Sequence, residues 1–430
     1  MAIVEINKEL CKGCTLCSQV CGIGACFGEP LIPHEIDERR CINCGQCVVT
    51  CPTGAASDLS ELERVKEVLE DDSVVKVVQC APALRVSLGE EFGMEAGSIV
   101  PGRMASVLRK LGFDRVYDTC FAADLTAMEE GHEFLERLER GGPFPMFTSC
   151  CPAWVLYMEK NYPELLPLLS SCKSPQQMFG ALVKAYMAER EGIDKDKIFL
   201  LSAMPCTAKK YEAKRPEMNK DGYNDVDAVL TTRELAQLIK EKQIEFTDLP
   251  EENFDVPFGL YTGAGVLFGT SGGVMEAALR TLVKKLTGKP LKNITFEPVR
   301  GAEGVREAVI GIENRKIKVA VVSGIKNVAP LLEDIRKGFS DYHFIEVMAC
   351  PDGCIGGGGQ PRIPKRSLRK MVLKKREKAI YYYELGLPQI AAVDNPFIKA
   401  LYTEFLGGPL SEKSHELLHT VYSDKKIFFH

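Results

Sequence analysis

CKGCTLCSQVC at residues 11–21 and CINCGQCVVTCP at residues 41–52 repeat one cysteine spacing. Each run reads Cys-x2-Cys-x2-Cys-x3-Cys, as Cys11, Cys14, Cys17 and Cys21 and again as Cys41, Cys44, Cys47 and Cys51, closed by Pro52. Three thiolates this close wrap one corner of a 4Fe–4S cubane, and the fourth reaches across to a second cluster. The spacing therefore assigns Cys11, Cys14, Cys17 and Cys51 to one cluster, and Cys21, Cys41, Cys44 and Cys47 to the other. A zinc ribbon uses two CxxC pairs rather than two runs of four, so zinc is set aside. Gly22 follows Cys21 where Pro would be usual, and Cys26 is a spare thiol nearby. Cys26 reads as a small buried residue, but it leaves open which Cys closes the second cluster.

The rest of the composition agrees with metal ligation. The chain holds 17 cysteines in 430 residues, nine of them in the first 51. The N-terminus has neither the basic start nor the apolar stretch of an export signal, so disulfides are not expected and the cytoplasm is the default location. Lys plus Arg number 54 against 59 Asp plus Glu, a net charge of −5, which argues against a general nucleic-acid binder. No apolar run approaches the roughly 20 residues of a membrane span. Oligomeric state is not legible.

Residues 58–72 read as an amphipathic helix with Leu59, Leu62, Val65 and Leu69 on its apolar face. We expect an α+β, ferredoxin-like domain with two 4Fe–4S clusters over residues 1–70. Strand-like runs then follow at 74–79, 115–119, 144–149, 198–203, 227–232, 318–324 and 343–349, with helical periods between them, such as 175–189 and 273–287. This alternation predicts an α/β catalytic domain over 71–363, with two lobes of mostly parallel sheet flanked by helices. The polar tail, 364–430, should wrap it as a helical segment.

Three cysteine loops stand at strand ends, where α/β folds place ligands. They are TSCCPAW (148–154), MPCTAKKYE (204–212) and EVMACPDGC (346–354) followed by GGGG at 356–359. Neighbouring residues of extended chain point opposite ways, so of Cys150 and Cys151 one should bind metal and the other stay free. Cys151, Cys206, Cys350 and Cys354 together make the complement of a third cubane. Four consecutive glycines permit very close backbone approach to a bulky object. Cys80, Cys120 and Cys172 read as small buried residues.

These three loops, with SCKSPQQMFG, DAVLTTRELA and FGTSGGVMEAALR, resemble the iron-only (FeFe) hydrogenases. The resemblance reaches from the cysteine runs to at least residue 362, and His415–His419 resembles the family's C-terminal segment. It looks like a compact member with two ferredoxin-type clusters. The resemblance implies an H-cluster: a cubane on Cys151, Cys206, Cys350 and Cys354, with Cys354 bridging to a di-iron unit bearing CO, CN and an amine dithiolate. Lys209, Ser174 and Ala81-Pro82-Ala83 match the family's cyanide-side contacts, and Met204, Gln176, Met348 and Phe268 match residues around the di-iron unit. Cys150 matches the thiol that exchanges protons with the amine.

On the helical pattern around residue 130, Glu130, Glu133 and Arg137 share one arc beside apolar Met128, Phe134, Leu135 and Leu138. Half-buried carboxylates there can have raised pKa values. With Ser170 they match the family's proton relay, whereas Glu129, Glu136 and Arg140 read as a solvated charged face. The implied activity is reversible reduction of protons to hydrogen, fed by a ferredoxin or similar one-electron carrier and dependent on maturation proteins. A small acidic carrier would need a basic patch, but Lys365–Lys378 reads as a solvated helix face, and no docking site is named. The rival reading is a non-turnover relative in hydrogen sensing or iron–sulfur assembly. Sensing relatives lose the relay Cys and assembly relatives lose part of the Cys and Lys set, whereas Cys150, Lys209 and Glu130 are present here. His415-Glu416-Leu417-Leu418-His419 spells HExxH, the zinc-protease pattern, but no third ligand follows nearby, so it reads as a surface helix. Gly263, Gly265 and Gly269 lack dinucleotide-binding spacing.

Overall fold

The computed structural model describes residues 2–220, 222–291, 297–299, 304–312, 315–363 and 365–426. Pro364, at the expected start of the tail, lies outside them. In each N-terminal run the third cysteine sits in a five-residue helix, Leu16–Val20 or Gln46–Thr50. Both helices start from a left-handed residue at the same point of the run, Thr15 at φ 64° and Gly45 at φ 67°. Val4–Ile6 pairs antiparallel with Ala56–Asp58, and Cys26–Phe27 with Glu35–Ile36. The helix expected over 58–72 is shorter, Leu62–Leu69. Ala56–Asp58 is strand, and the Leu62 amide donates to the Ser60 hydroxyl at 3.2 Å, which turns the chain into the helix. Leu62 and Val65 then bury against the next unit's core, with Val77 and Val78.

Among the described residues that unit contains two larger sheets, besides the short antiparallel pair Asn219–Lys220 and Tyr223–Asn224. The first is wholly parallel, in the order Ala228–Thr231, Ile198–Met204, Val75–Cys80, Arg115–Asp118. Every residue of Ile198–Met204 is buried, as a strand covered on both faces requires. The second runs Met146–Phe147, Phe344–Met348, Arg315–Ser323, Val305–Ile312, Glu297–Pro298. Its first three strands are parallel and the rest antiparallel. Strand Val305–Ile312 was absent from the expectation of mostly parallel sheet. It alternates buried Ala308, Ile310 and Ile312 with exposed Val309 and Gly311, as a sheet wetted on one side does. Helices Cys120–Arg140 and Gly273–Thr287 pack together beside the sheets.

The tail contributes helices Arg369–Leu385, Pro396–Leu401 and Glu412–Leu418. Its end is clasped by backbone hydrogen bonds from Lys173 to Leu418 and from Thr420 to Ser171, both 2.8 Å. Lys365–Lys378 is not a solvated face throughout. Arg376 is buried and donates twice to Glu90 at 2.7 Å, while Arg369 donates to Gln46 of the N-terminal unit at 2.8 Å. A helical-period pattern reports only one element's charges, not the acceptors that another element brings. No helix among the described residues is long and apolar enough to cross a membrane.

Candidate active site

The chain leaves strands Val75–Cys80, Met146–Phe147, Ile198–Met204 and Phe344–Met348 at their C-terminal ends around one cavity between the two sheets. Its wall carries Cys150, Cys151, Cys206, Cys350 and Cys354, together with Lys209, Ala81, Pro82, Ala83, Met204, Gln176, Met348 and Phe268. Thirteen residues scattered over the sequence thus meet at one place. Ser174 is not on this wall: its hydroxyl donates to Glu212 at 2.8 Å. Thr119, Pro152, Pro175, Pro205 and Gly353 also line the cavity and were not anticipated. Pro152 and Pro175 each open a helix at the wall, a signal the sequence carried in Cys-Pro and Ser-Pro.

Gly357 of the glycine run lines the cavity, as the expected close approach to a bulky ligand requires, and the run also packs against other backbone. A Cβ on Gly357 would meet the Pro205 carbonyl at 2.1 Å, on Gly358 the Cys44 carbonyl at 2.2 Å, and on Gly359 the Cys206 amide at 2.7 Å. The run is therefore wedged between the Cys206 loop and the second N-terminal cysteine run. Cys44 is close enough to Cys206 and Cys350 for their charges to act on one another. Lys210 fastens the two units nearby, its ammonium 2.6 Å from Asp58 and 2.8 Å from Glu234.

The donor chemistry suits iron–sulfur clusters. Amides of Ala25 and Cys26 point at Cys21 Sγ (3.1 and 3.4 Å), and those of His34, Asn43 and Ala56 at Cys11, Cys41 and Cys51 (3.4 Å each). Such N–H groups offset the negative charge of thiolate-held iron. Cys151 caps helix Pro152–Asn161, and Cys206 precedes helix Ala208–Ala213. Burial pushes the Cys206 thiol up to about 12, a cost that the Lys209 ammonium and helix amides reduce and that bound metal would remove. Gln176 offers a buried Oε1 on the wall with no hydrogen-bond partner. The Lys209 ammonium donates to the Cys150 carbonyl at 3.1 Å and to Glu212 at 2.8 Å. Burial opposes its charge, yet Glu212 wins and holds it protonated.

Behind Cys150 stands helix Cys120–Arg140. Glu130 is wholly buried and neither carboxyl oxygen has a partner in hydrogen-bonding geometry. Burial, then the neighbouring Glu133, raise it to about 8, and the nearby Ser149 amide and Ser170 hydroxyl only moderate that rise. Burial and Glu130 push the Cys150 thiol well up. Ser170 donates to Glu133 at 2.7 Å, and Arg137 pairs with Glu133 at 2.8 Å. Glu129 contradicts the solvated reading. It is wholly buried and accepts from Tyr402 at 2.6 Å and the Leu410 amide at 3.0 Å, with His419 Nε2 at 3.1 Å. All three partners arrive on the tail. His419 is accordingly buried, not on a surface helix, while His415 and Glu416 are exposed. Arg140 and Glu136 do lie on the exposed face expected, where they pair with each other. Cys80, Cys120 and Cys172 are buried.

The chain falls into a known class at this point. The family pattern described as iron only hydrogenase large subunit, C-terminal domain matches residues 74–358, that of the iron hydrogenase small subunit 370–425, and a 4Fe–4S binding domain 34–57. The chain belongs to the iron-only hydrogenase family. It is 47% identical over 429 residues to the NADP-reducing hydrogenase subunit HndD of Solidesulfovibrio fructosivorans, covering 96% of this chain and 73% of that one. It superposes on the apo [FeFe]-hydrogenase HydA1 from Chlamydomonas reinhardtii with a TM-score of 0.78 at 40% identity, over 86% of this chain and all of the other. It is also similar, at 31% over 92% of its length and 85% of the relative, to cytosolic iron-sulfur assembly component 3 of Rattus norvegicus.

Proposed function

We propose that the protein catalyses reversible reduction of protons to hydrogen. The observation that carries this reading is the line of ionisable groups from the cavity wall outward. Cys150 sits on the wall, Glu130 acts on it, and Ser170, Glu133 and Arg137 continue with contacts of 2.7 and 2.8 Å. Glu130, held near 8, can both keep and release a proton around neutral pH, which a relay member must do. Cys151, Cys206, Cys350 and Cys354 would hold the cubane, and Cys354 would also link the di-iron unit. When bound, that group supplies the redox chemistry and an open site for hydrogen. Lys209 has a remaining ammonium N–H for a cyanide ligand, and Gln176, Met204, Met348, Phe268 and Ala81-Pro82-Ala83 exclude water from the cavity. Ser174, through Glu212, steadies Lys209.

Two further 4Fe–4S clusters on the N-terminal cysteines would pass electrons singly. The wedge of Gly358 against Cys44 gives them a short crossing to the catalytic loops. A ferredoxin or similar carrier would supply them, and maturation proteins would install the di-iron unit. The assembly-protein likeness favours a second reading, a non-turnover role, but Cys150, Glu130 and Lys209 have no use there.

The test is hydrogen evolution from reduced viologen, anaerobically, with protein matured in the presence of the maturation proteins. We expect robust turnover, and Cys150→Ser to lose it by about 100-fold or more. A fully loaded wild-type protein that makes no hydrogen overturns the enzyme reading in favour of sensing or assembly.

A further inference from the structure

Glu133, Cys172 and His419 bring a carboxylate, a thiol and an imidazole together, their ligand atoms within 4.8 Å of one another. The three come from helix Cys120–Arg140, from the loop after Ser170, and from the tail, and the backbone clasp at 171–173 fixes the last two together. From this geometry we propose that Glu133, Cys172 and His419 form an inhibitory site for one zinc-like divalent cation, which on binding takes Glu133 out of the proton relay. The inhibitory consequence rests on the hydrogenase reading; the binding site does not.

The donor set is that of zinc rather than of magnesium or calcium, which take oxygen ligands. Zinc bonds of about 2.0–2.3 Å set neighbouring tetrahedral ligands roughly 3.3–3.8 Å apart. Cys172 Sγ already lies 3.9 Å from Glu133 Oε2, so only the imidazole must close in. One ring nitrogen of His419 faces a carboxylate, as the outer nitrogen of a metal-bound histidine commonly does. His419 Nε2 faces the Glu129 carboxylate at 3.1 Å, leaving Nδ1 as the lone pair, at present accepting from the Ser171 hydroxyl at 2.8 Å. A carboxylate behind the imidazole is the usual outer support of a histidine–zinc bond.

Charge points the same way. Burial, then Glu133, Glu130 and Glu129, push the Cys172 thiol well up and keep it protonated until a cation arrives, and Arg137 is the cation paired with Glu133. Glu130, raised to about 8 and so largely uncharged near neutral pH, adds two buried oxygens beside this pocket. On binding, the Cys172 S–H bond breaks, its proton leaves to water, and the thiolate bonds the metal. His419 binds as neutral imidazole, Glu133 gives up Ser170 or Arg137, and water takes the fourth position.

The experiment adds zinc sulfate to anaerobic, fully matured protein and reads viologen-driven hydrogen evolution beside zinc uptake against a chromophoric chelator. We expect rate losses of tenfold or more at micromolar zinc, reversed by EDTA. Cys172→Ala and His419→Gln should keep basal rates within about twofold, need at least tenfold more zinc, and each take up one zinc fewer. Cys172→Ser serves if the alanine variant folds poorly. Equal zinc uptake and equal inhibition in wild type and variants overturn the site. If wild type makes no hydrogen at all, the hydrogenase reading fails, and the one-zinc difference in uptake still decides the site.

Discussion

Glu129 and Glu130 are chain neighbours on one helix, both wholly buried, and they live under opposite regimes. Burial raises both. For Glu129, His419, Tyr402 and the Leu410 amide more than repay it, and the carboxyl is held below its ordinary range. For Glu130 no partner meets the oxygens, and the carboxyl is raised to about 8. Depth therefore does not decide what a buried carboxylate does; its partners do. One side of the helix uses its charge to hold the tail, and the other keeps a proton available beside the cavity.

The sharpest way to break this contrast is Glu130→Gln, which preserves shape and removes the exchangeable proton. Hydrogen evolution should fall by about 100-fold or more, while the urea midpoint holds or rises. A variant with wild-type turnover would remove Glu130 from the relay. Glu129→Ala should reverse the pattern. It leaves Tyr402, Leu410 and His419 without their acceptor and should cost about 3 kcal/mol of unfolding free energy, while the folded enzyme keeps its rate within a fewfold.

The pH dependence of stability gives a finer comparison. Glu130 favours the fold while protonated, so its contribution is present below the ordinary 4.5 and is lost as pH climbs through about 8. Glu130→Gln should therefore flatten the fall in melting temperature between pH 5 and about 8.5. Glu129, shifted down, contributes above its ordinary value and loses that contribution on acidification. The smallest effect belongs to the exposed Glu136–Arg140 pair: Glu136→Ala should change stability by less than about 0.5 kcal/mol and leave turnover unchanged.

Legibility in the sequence follows the range of the interaction. The cysteine runs could be read because their chemistry is written in spacings of two and three residues, and the sheet strands because a buried parallel strand must be continuously apolar. Glu129 was misread because a helical wheel contains only its own helix, while His419 lies 290 positions on. His419 and Arg376 were misplaced for the same reason. Ser174 stands beside the cavity with its hydroxyl on Glu212, an acceptor 38 positions away that its own stretch of sequence could not announce. The glycine run announced close approach and could not say to what.

The clasp between residues 171–173 and 418–420 carries a consequence for the order in which this molecule is completed. It closes a loop of nearly 250 residues, and the entropy of such closure is repaid only after the intervening elements have folded. In folding, the elements enclosed by this loop are expected to pack first, with Glu129 and Glu133 covered only when the clasp closes.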